Sequence, residues 1–258
     1  MALLESKGVT KMFGGLTALK DFDFVINQGE ITGLIGPNGA GKTTFFNVVT
    51  GMYPATRGEV TFQHENLLRL KPHERVEKGI GRTFQGVRLF TFLTALDNVK
   101  IGRHCRAKSG WISAILHVRS QREEEEKITQ KARELLEFVG LINQQDELAG
   151  NLPYGDQRRL EIARALATDP KFLLLDEPAA GMNPQETKDL MQLIREIRDM
   201  GVTVLLIEHD MKMVMGICEQ IAVLDYGVKI AEGTPEQVQR NKRVIEAYLG
   251  RGVAYARA

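Results

Sequence analysis

The sequence is poor in cysteine and has no long apolar run. Its 258 residues include two cysteines, Cys105 and Cys218, which lie far apart and form no CxxC pair. This argues against a disulfide framework or a zinc site and favours reduced thiols in a cytosolic protein. The N-terminus has no apolar segment typical of a secretory signal. No stretch reaches the ~18 apolar residues of a membrane-spanning helix, so we expect any membrane role to come through a partner.

An excess of charge of one sign is also missing. Lysine and arginine number 34 and aspartate and glutamate 33, which gives a formal net charge of +1. A chain so weakly charged offers no electrostatic case for nucleic acid as its main ligand. Hydrophobic residues make up 43% of the chain, which is ordinary for a globular protein. The length predicts one large domain, or one domain with a sizeable subdomain.

Several short apolar runs predict strands of a parallel sheet. Near-continuous runs, typical of strands buried on both faces, occupy residues 31–35, 171–176 and 202–207. Between the last two, Asn183, Pro184 and Glu186 match the N-cap, first position and N3 of a helix, and Gly201 ends it. Strand, helix and strand in this order predict a parallel βαβ unit. Shorter runs at residues 22–26 and 58–62 predict further strands near the N-terminus.

The middle and the end of the chain have other patterns. Apolar residues at helical spacing predict a mostly helical insertion at about residues 86–165, with a capping box from Ser120 to Glu123. The C-terminal part predicts a hairpin that turns at Tyr226-Gly227 and then one last helix, together about residues 221–250. We therefore expect a single domain over residues 1–258 that contains this insertion.

The stretch GPNGAGKTT follows the first buried run and precedes a predicted helix over residues 44–49. It fits a phosphate-binding loop, in which glycines let several N–H groups point at one centre and the following helix adds its positive end. Lys42 can reach the β- and γ-phosphates, and the Thr43 hydroxyl can hold Mg²⁺. A turn that only connects two elements is the alternative. The predicted phosphate site comprises Gly36, Pro37, Asn38, Gly39, Ala40, Gly41, Lys42, Thr43 and Thr44.

Polar residues follow the other two buried runs. Asp176 ends the second run, at the edge where open α/β sheets bind ligands, and can hold Mg²⁺. Glu177 comes next and can polarise the water that attacks the γ-phosphate, although an acid pair here can also simply cap the next element. His209 follows the third run at the same predicted edge. We expect it to sense the γ-phosphate, with a purely structural histidine as the alternative.

A second anion site is predicted at residues 151–166, where a loop containing LPYGDQRR leads into a basic amphipathic helix. Gly155 and the first N–H groups of that helix can bind phosphate. One chain thus carries a phosphate loop and a separate anion-binding helix start, which suggests that two chains sandwich the nucleotide between them.

Together these motifs resemble the ATP-binding subunit of an ABC transporter over essentially the whole chain. The resemblance implies an α/β P-loop core of mostly parallel sheet, with an N-terminal antiparallel β subdomain and an inserted helical subdomain. ATP and Mg²⁺ are the implied cofactors. The implied catalytic residues are Lys42, Glu177 and His209, and the implied metal ligands are Thr43, Gln85 and Asp176.

The resemblance also implies roles for single residues. Gln85 would touch Mg²⁺ and report on a transmembrane partner, unless it is an ordinary polar loop residue. Phe13 would stack on adenine, unless it is a core phenylalanine. Tyr154, Gly155 and Asp156 belong to the implied nucleotide site, but Tyr154 replaces the family's glycine and Asp156 its glutamine. Pro153 replaces a serine and lacks the hydroxyl that meets the γ-phosphate, so that contact would rely on backbone N–H groups from Gly155 onward.

Several stretches resemble the ATPases of bacterial branched-chain amino acid uptake systems, among them DEPAAGMNP and EGTPEQVQ. Residues 102–116 are similar to the larger of the two paired ATPases. This implies a second ATPase subunit, two permeases, a periplasmic binding protein and a place at the cytoplasmic face of the inner membrane. Residues 88–99 hold an apolar patch of Leu89, Phe90, Phe92 and Leu93. Part of this patch is expected to receive a permease helix, with sealing of the helical subdomain as the alternative.

Other members of the class remain alternatives. Urea or lipopolysaccharide is a possible cargo in place of amino acids, and a soluble assembly ATPase, as in iron–sulfur cluster assembly, also has a single domain. DNA-repair clamps and translation factors need long coiled coils, zinc motifs or tandem ATPase domains. The sequence has no such feature.

Overall fold

The computed structural model describes residues 1–106 and 118–255. Its strands are β1 (Ala2–Phe13), β2 (Leu16–Asn27), β3 (Ile31–Ile35), β4 (Arg57–Phe62), β5 (Glu65–Asn66), β6 (Ile80–Arg82), β7 (Phe172–Asp176), β8 (Thr203–Ile207), β9 (Gln220–Asp225) and β10 (Val228–Gly233). One sheet has the order β2-β1-β4-β5 and the other β10-β9-β3-β8-β7-β6. The first is antiparallel, and the second is parallel apart from the β9–β10 hairpin. These two sheets confirm the predicted fold class.

The described helices are α1 (Lys42–Val49), α2 (Pro72–Lys78), α3 (Ala95–Arg103), α4 (Val118–Phe138), α5 (Tyr154–Leu166), α6 (Pro184–Asp199), α7 (Met211–Ile217), α8 (Pro235–Gln239) and α9 (Lys242–Tyr255). Helices α3, α4 and α5 follow one another between β6 and β7, where the sequence predicts the insertion. Their behaviour as a separate subdomain stays a prediction. Across residues 1–106 and 118–255, no helix is both long and apolar enough to span a membrane.

The parallel sheet is buried on both faces, as its apolar runs predict. All residues of β3, β7 and β8 are buried. Alternate side chains join different clusters: Ile35 packs with the helices around α5, whereas Leu34 packs with α1 and the antiparallel sheet. Strand β8 pairs in parallel with both β3 and β7. The loops after these three strands therefore leave the same edge of the sheet.

The helix between β7 and β8 begins as its sequence predicts. Asn183 Oδ1 accepts hydrogen bonds from the N–H groups of Gln185 and Glu186, and the Glu186 carboxylate accepts one from the Asn183 N–H. The apolar stripe is buried at Leu190, Leu193, Ile194 and Ile197. This confirms both the capping box and the parallel βαβ unit.

Three boundaries differ from the prediction. Helix α1 begins at Lys42, two residues before the expected Thr44, because Gly41 is its N-cap. Ser120 lies inside α4, since a serine and a glutamate three residues apart also fit a helix interior. The single C-terminal helix was also a wrong prediction: the chain forms α8 and then α9, because Asn241 Oδ1 accepts a hydrogen bond from Arg243 N–H and starts a new helix. Residues 107–116 of the stretch 102–116 lie outside the described residues.

Candidate active site

The loop after β3 has the curled backbone that its glycines predict. Gly36, Gly39 and Gly41 have φ values of 150°, 79° and 106°, which side chains rarely tolerate. A Cβ atom on Gly36 would lie 2.1 Å from the carbonyl oxygen of Leu224, and one on Gly41 would lie 2.4 Å from that of Ala18. The surrounding backbone therefore requires glycine at these two positions. Helix α1 follows with no acidic residue in its first turn, so its positive end is left for an anion.

The Lys42 side chain folds back over this loop. Its buried ammonium group donates hydrogen bonds to the carbonyl oxygens of Gly36, at 2.7 Å, and Pro37, at 3.0 Å. These bonds hold the charge close to the loop and the start of α1. An anion that the loop N–H groups bind would lie beside this ammonium group.

An open cleft of about 830 Å³ lies over the loop. It is lined by Phe13, Leu16, Ala18, Asn38, Gly39, Ala40, Gly41, Lys42, Thr43, Thr44, Gln85, Glu177 and His209. The structure thus brings together most of the predicted site residues. Gly36 and Pro37 are buried below the cleft. Leu16 and Ala18 also line the cleft but were not predicted from the sequence. They reach it because β2 folds back beside Phe13.

Phe13 lies at the rim of this cleft and is not a core residue. Its side chain is 41% exposed and meets Tyr53 edge to face, with 5.2 Å between the ring centroids. The Lys11 ammonium lies 4.8 Å from the Phe13 ring centroid. An exposed ring in a cleft wall can stack on a nucleobase, so the predicted role of Phe13 fits its position.

The Glu177 carboxylate is held from two sides. Gln85 Nε2 donates to one oxygen at 2.9 Å, and His209 Nε2 lies 2.7 Å from the other. Glu177 itself has a φ of 49°, a left-handed conformation that non-glycine residues adopt infrequently. The three residues come from loops distant in the sequence. Gln85 was predicted to contact Mg²⁺, whereas its amide nitrogen here contacts the candidate base.

Asp176 is buried behind Glu177 at the end of β7. Its Oδ2 accepts a hydrogen bond from Arg82 Nη2 at 3.0 Å, whereas Oδ1 has no hydrogen-bond partner among the described residues. Burial raises the pKa of this carboxyl, and the Arg82 guanidinium opposes that shift. A buried carboxylate oxygen without a donor suits a hard divalent cation. The Oδ1 atom of Asp176 therefore fits a ligand of the implied Mg²⁺, but Asp176 itself does not line the cleft that Thr43 and Gln85 border.

Two charged residues at strand ends, Arg82 and Glu208, have no role assigned from the sequence. Arg82 ends β6 and also donates to Asn47 Oδ1 at 2.6 Å, which joins Asp176 to α1. Glu208 follows β8, and its carboxylate accepts from the N–H groups of Ala179 and His209 at 2.8 and 3.0 Å. Burial raises the pKa of Glu208. A charged residue that ends or directly follows a buried strand is the signal that points to both.

The start of α5 lies apart from the cleft. Pro153 is the N-cap of α5 and provides no side-chain hydrogen bond, while Gly155 is buried against the Glu186 side chain. The Tyr154 ring packs against Gly181. Tyr154, Gly155 and Asp156 do not line the cleft. Within one chain the two predicted anion sites are therefore separate.

Known proteins are similar to this chain in both sequence and fold. The ABC transporter family matches residues 19–180, and a family described as branched-chain amino acid ATP-binding cassette transporter matches residues 228–254. The high-affinity branched-chain amino acid transport ATP-binding protein LivG of Escherichia coli is 47% identical over 249 residues, which cover 96% of this chain and 98% of LivG.

Solved structures agree. A crystal structure of an ATP-binding cassette of an ABC transporter in its ADP conformation superposes with a TM-score of 0.85 and 35% identity, covering 97% of this chain and 99% of that one. A dimeric cassette in a post-hydrolysis state, bound to ADP and Pi, gives a TM-score of 0.77 and 28% identity over 90% of this chain and 98% of that one. With the phosphate loop, the strand-end acids and the histidine at one sheet edge, these matches make the chain a member of the ABC transporter family.

Proposed function

We propose that the chain is the ATP-hydrolysing subunit of a membrane importer for branched-chain amino acids. The observation that carries this proposal is the 47% identity with LivG across 96% of the chain. The match of residues 228–254 to a branched-chain amino acid transporter family supports it. The protein then acts at the cytoplasmic face of the inner membrane, attached through permease subunits.

The cleft residues divide the reaction between them. The loop N–H groups and Lys42 bind the phosphates, and the Phe13 ring stacks on the base. Thr43, Gln85 and Asp176 would hold Mg²⁺, which neutralises charge on the phosphates. Glu177 accepts a proton from the attacking water, and His209 and Gln85 orient its carboxylate through the two short contacts described above. His209 lines the cleft, so it can also contact the γ-phosphate.

A second ATPase subunit completes the site in this proposal. Tyr154, Gly155 and Asp156 at the start of α5 do not line the chain's own cleft, and a solved relative is dimeric with ADP and Pi bound. Gly155 and its neighbours would face the γ-phosphate held by the partner. The partner is a second copy or a homologous ATPase. Hydrolysis removes the group that joins the halves, and we expect α3, α4 and α5 to move as a subdomain when they separate.

An apolar groove beside Gln85 suits a permease helix. The groove has a volume of about 480 Å³, and its walls include Met52, Val76, Phe84, Phe90 and Ile101. Phe90 is 49% exposed and therefore available to a partner. Phe92 is 91% exposed and does not line the groove. We therefore expect Phe90, but not Phe92, to contact a permease helix in this groove.

The experiment is reconstitution with two permeases, the second ATPase and a periplasmic binding protein in lipid vesicles. We expect leucine, isoleucine or valine, loaded on the binding protein, to stimulate ATP hydrolysis and to enter the vesicles. If only urea or only lipopolysaccharide stimulated ATP hydrolysis, that compound would be the cargo in place of amino acids. Failure of the chain to purify with any membrane subunit would support a soluble assembly ATPase instead.

The groove has its own matched pair of variants. Phe90→Glu places a charge in the groove and should abolish transport while leaving ATP affinity unchanged. Phe92→Glu adds the same charge outside the groove and should transport normally. Equal transport by the two variants would count against docking at Phe90.

A further inference from the structure

Two buried charged residues on α5 hold the loop that carries Gln85. Arg158 donates from Nη1 to the carbonyl oxygen of Phe84 at 3.0 Å and from Nη2 to that of Gln85 at 2.5 Å. Glu161, one helical turn later, accepts from the main-chain N–H groups of Phe84 and Arg88 at 3.3 and 3.4 Å. The Arg158 and Glu161 side chains are only 3% and 2% exposed. One helix thus binds this loop through both its C=O and its N–H groups.

Tyr154 sets the position of Arg158. Its hydroxyl oxygen accepts hydrogen bonds from Arg158 Nη2 at 2.7 Å and from Nε at 3.1 Å. The guanidinium carbon also lies 5.2 Å from the centroid of the Tyr154 ring. A guanidinium has its donors in one plane, so fixing two of them limits where the others point. A glycine at position 154 would offer Arg158 no such acceptor.

Tyr154 also contacts Gly181, in the loop that follows Glu177. A Cβ atom on Gly181 would lie 3.0 Å from Cε1 of the Tyr154 ring. The phenol is therefore held between Gly181 and Arg158. It does not line the nucleotide cleft.

These contacts form one chain of hydrogen bonds. It runs from the Tyr154 hydroxyl through Arg158 to the carbonyl of Gln85, whose side-chain amide reaches Glu177 at 2.9 Å. The links join the start of α5 to the candidate base. A change in the tilt of α5 would move the Gln85 main chain, and with it the donor that faces Glu177.

We propose that Tyr154 is a positioning residue for ATP hydrolysis and not a nucleotide ligand. It orients Arg158, which together with Glu161 clamps the loop from Phe84 to Arg88 and so places Gln85 against Glu177. This revises the role that the sequence predicts for Tyr154. The inference rests on the proposed function only in taking Glu177 as the base.

The clamp itself is tested without ATP or permeases. Tyr154→Phe removes only the hydroxyl and keeps the ring against Gly181, whereas Arg158→Lys keeps the charge and loses the fork. Arg159→Lys is the matched control, because Arg159 pairs with Asp189 at the protein surface, at 3.5 Å. In the isolated full-length chain, we expect amide hydrogen exchange at residues 84–88 to be roughly 3- to 10-fold faster in the first two variants. The control should match the wild type.

Kinetics then separate positioning from binding. In Tyr154→Phe we expect kcat for ATP to fall about 3- to 10-fold, with KM and the ATP dissociation constant within about 2-fold of wild type. Unchanged exchange at residues 84–88 would overturn the proposal. So would faster exchange with an unchanged kcat, or a raised KM with kcat intact, which would make Tyr154 a ligand. A chain that hydrolyses no ATP at all would instead contradict the proposed function, and the exchange result would still stand.

Discussion

Gly36 lies in the loop before α1, and Gly155 lies in the first turn of α5. The surrounding backbone requires glycine at the first of these two positions but not at the second. At the start of α1, a Cβ atom on Gly36 would lie 2.1 Å from the carbonyl oxygen of Leu224. At the start of α5, a Cβ atom on Gly155 would first meet the Oε1 end of Glu186, at 3.1 Å. A flexible side chain can move aside, whereas a strand carbonyl cannot.

The charges around the two helix starts also differ, and those at α1 favour a bound anion more than those at α5. Helix α1 has no acidic residue in its first turn, and the Lys42 ammonium lies on the loop before it. Helix α5 carries Asp156 in its first turn and has Pro153 as its N-cap. The loop, Lys42 and the start of α1 lie together at the cleft, whereas no residue of the first turn of α5 lines that cleft. The difference agrees with the proposal that Gly155 meets nucleotide bound by a partner subunit.

The largest expected effect is a difference in stability between alanine variants of Gly36 and Gly155. Gly36→Ala should destabilise the fold by about 3 kcal/mol or more, because the new methyl group clashes with backbone at a positive φ. That corresponds to a fall in Tm of roughly 6–12 °C for a domain of this size. Gly155→Ala should change stability by no more than ~1 kcal/mol, since alanine favours helices, while still lowering ATPase activity. Thermal melts and ATPase assays of both variants test this, and equal losses of Tm would erase the distinction.

The second prediction asks whether the start of α5 meets nucleotide in a partner. Glu177→Gln keeps the size of the side chain and removes the base, so hydrolysis should fall about 100-fold while ATP still binds. Size-exclusion chromatography with ATP should then show an accumulated dimer. Adding Gly155→Ala to this variant should weaken the dimer. If Glu177→Gln hydrolyses ATP at the normal rate, the base is another group.

A third prediction concerns the edge of the first site. Burial raises the pKa of Glu208, so the folded state prefers its neutral form. The stability from that preference is present below the unfolded pKa and is lost as pH rises through the folded pKa. Relative to Glu208→Gln, the wild type should therefore lose Tm as the pH rises above the ordinary glutamate pKa of about 4.3, by roughly 2–4 °C for each 1 kcal/mol. Glu196→Gln, on the exposed face of α6, is the control. A wild-type advantage that grows with pH would contradict this.

Most residues of the first site can be picked out from the sequence because they directly follow, or end, a recognisable buried strand, and their roles there stay predictions. The nine residues of GPNGAGKTT fix one loop, and strand ends bring Asp176, Glu177 and His209 to one edge. Arg158 could not be predicted in the same way: its partners are the carbonyl oxygens of Phe84 and Gln85, more than 70 residues away. On a basic amphipathic helix, the sequence pattern predicts that a charged residue faces solvent. Its burial follows only from how α5 packs on the loop after β6.

The smallest expected effect makes the start of α5 more like a phosphate site. Pro153 has φ −53° and ψ 151°, an extended conformation that a serine N-cap also adopts. In Pro153→Ser the new hydroxyl can accept from an N–H group of the first turn and can meet a γ-phosphate held by the partner. We expect a gain of about 1 kcal/mol in stability and an ATPase rate between the wild-type value and about 3-fold above it. Thermal melts and steady-state rates at saturating ATP measure both effects. A large loss of activity with an intact fold would mean that the proline itself shapes the approach of the partner, and that the start of α5 is built for a contact other than phosphate.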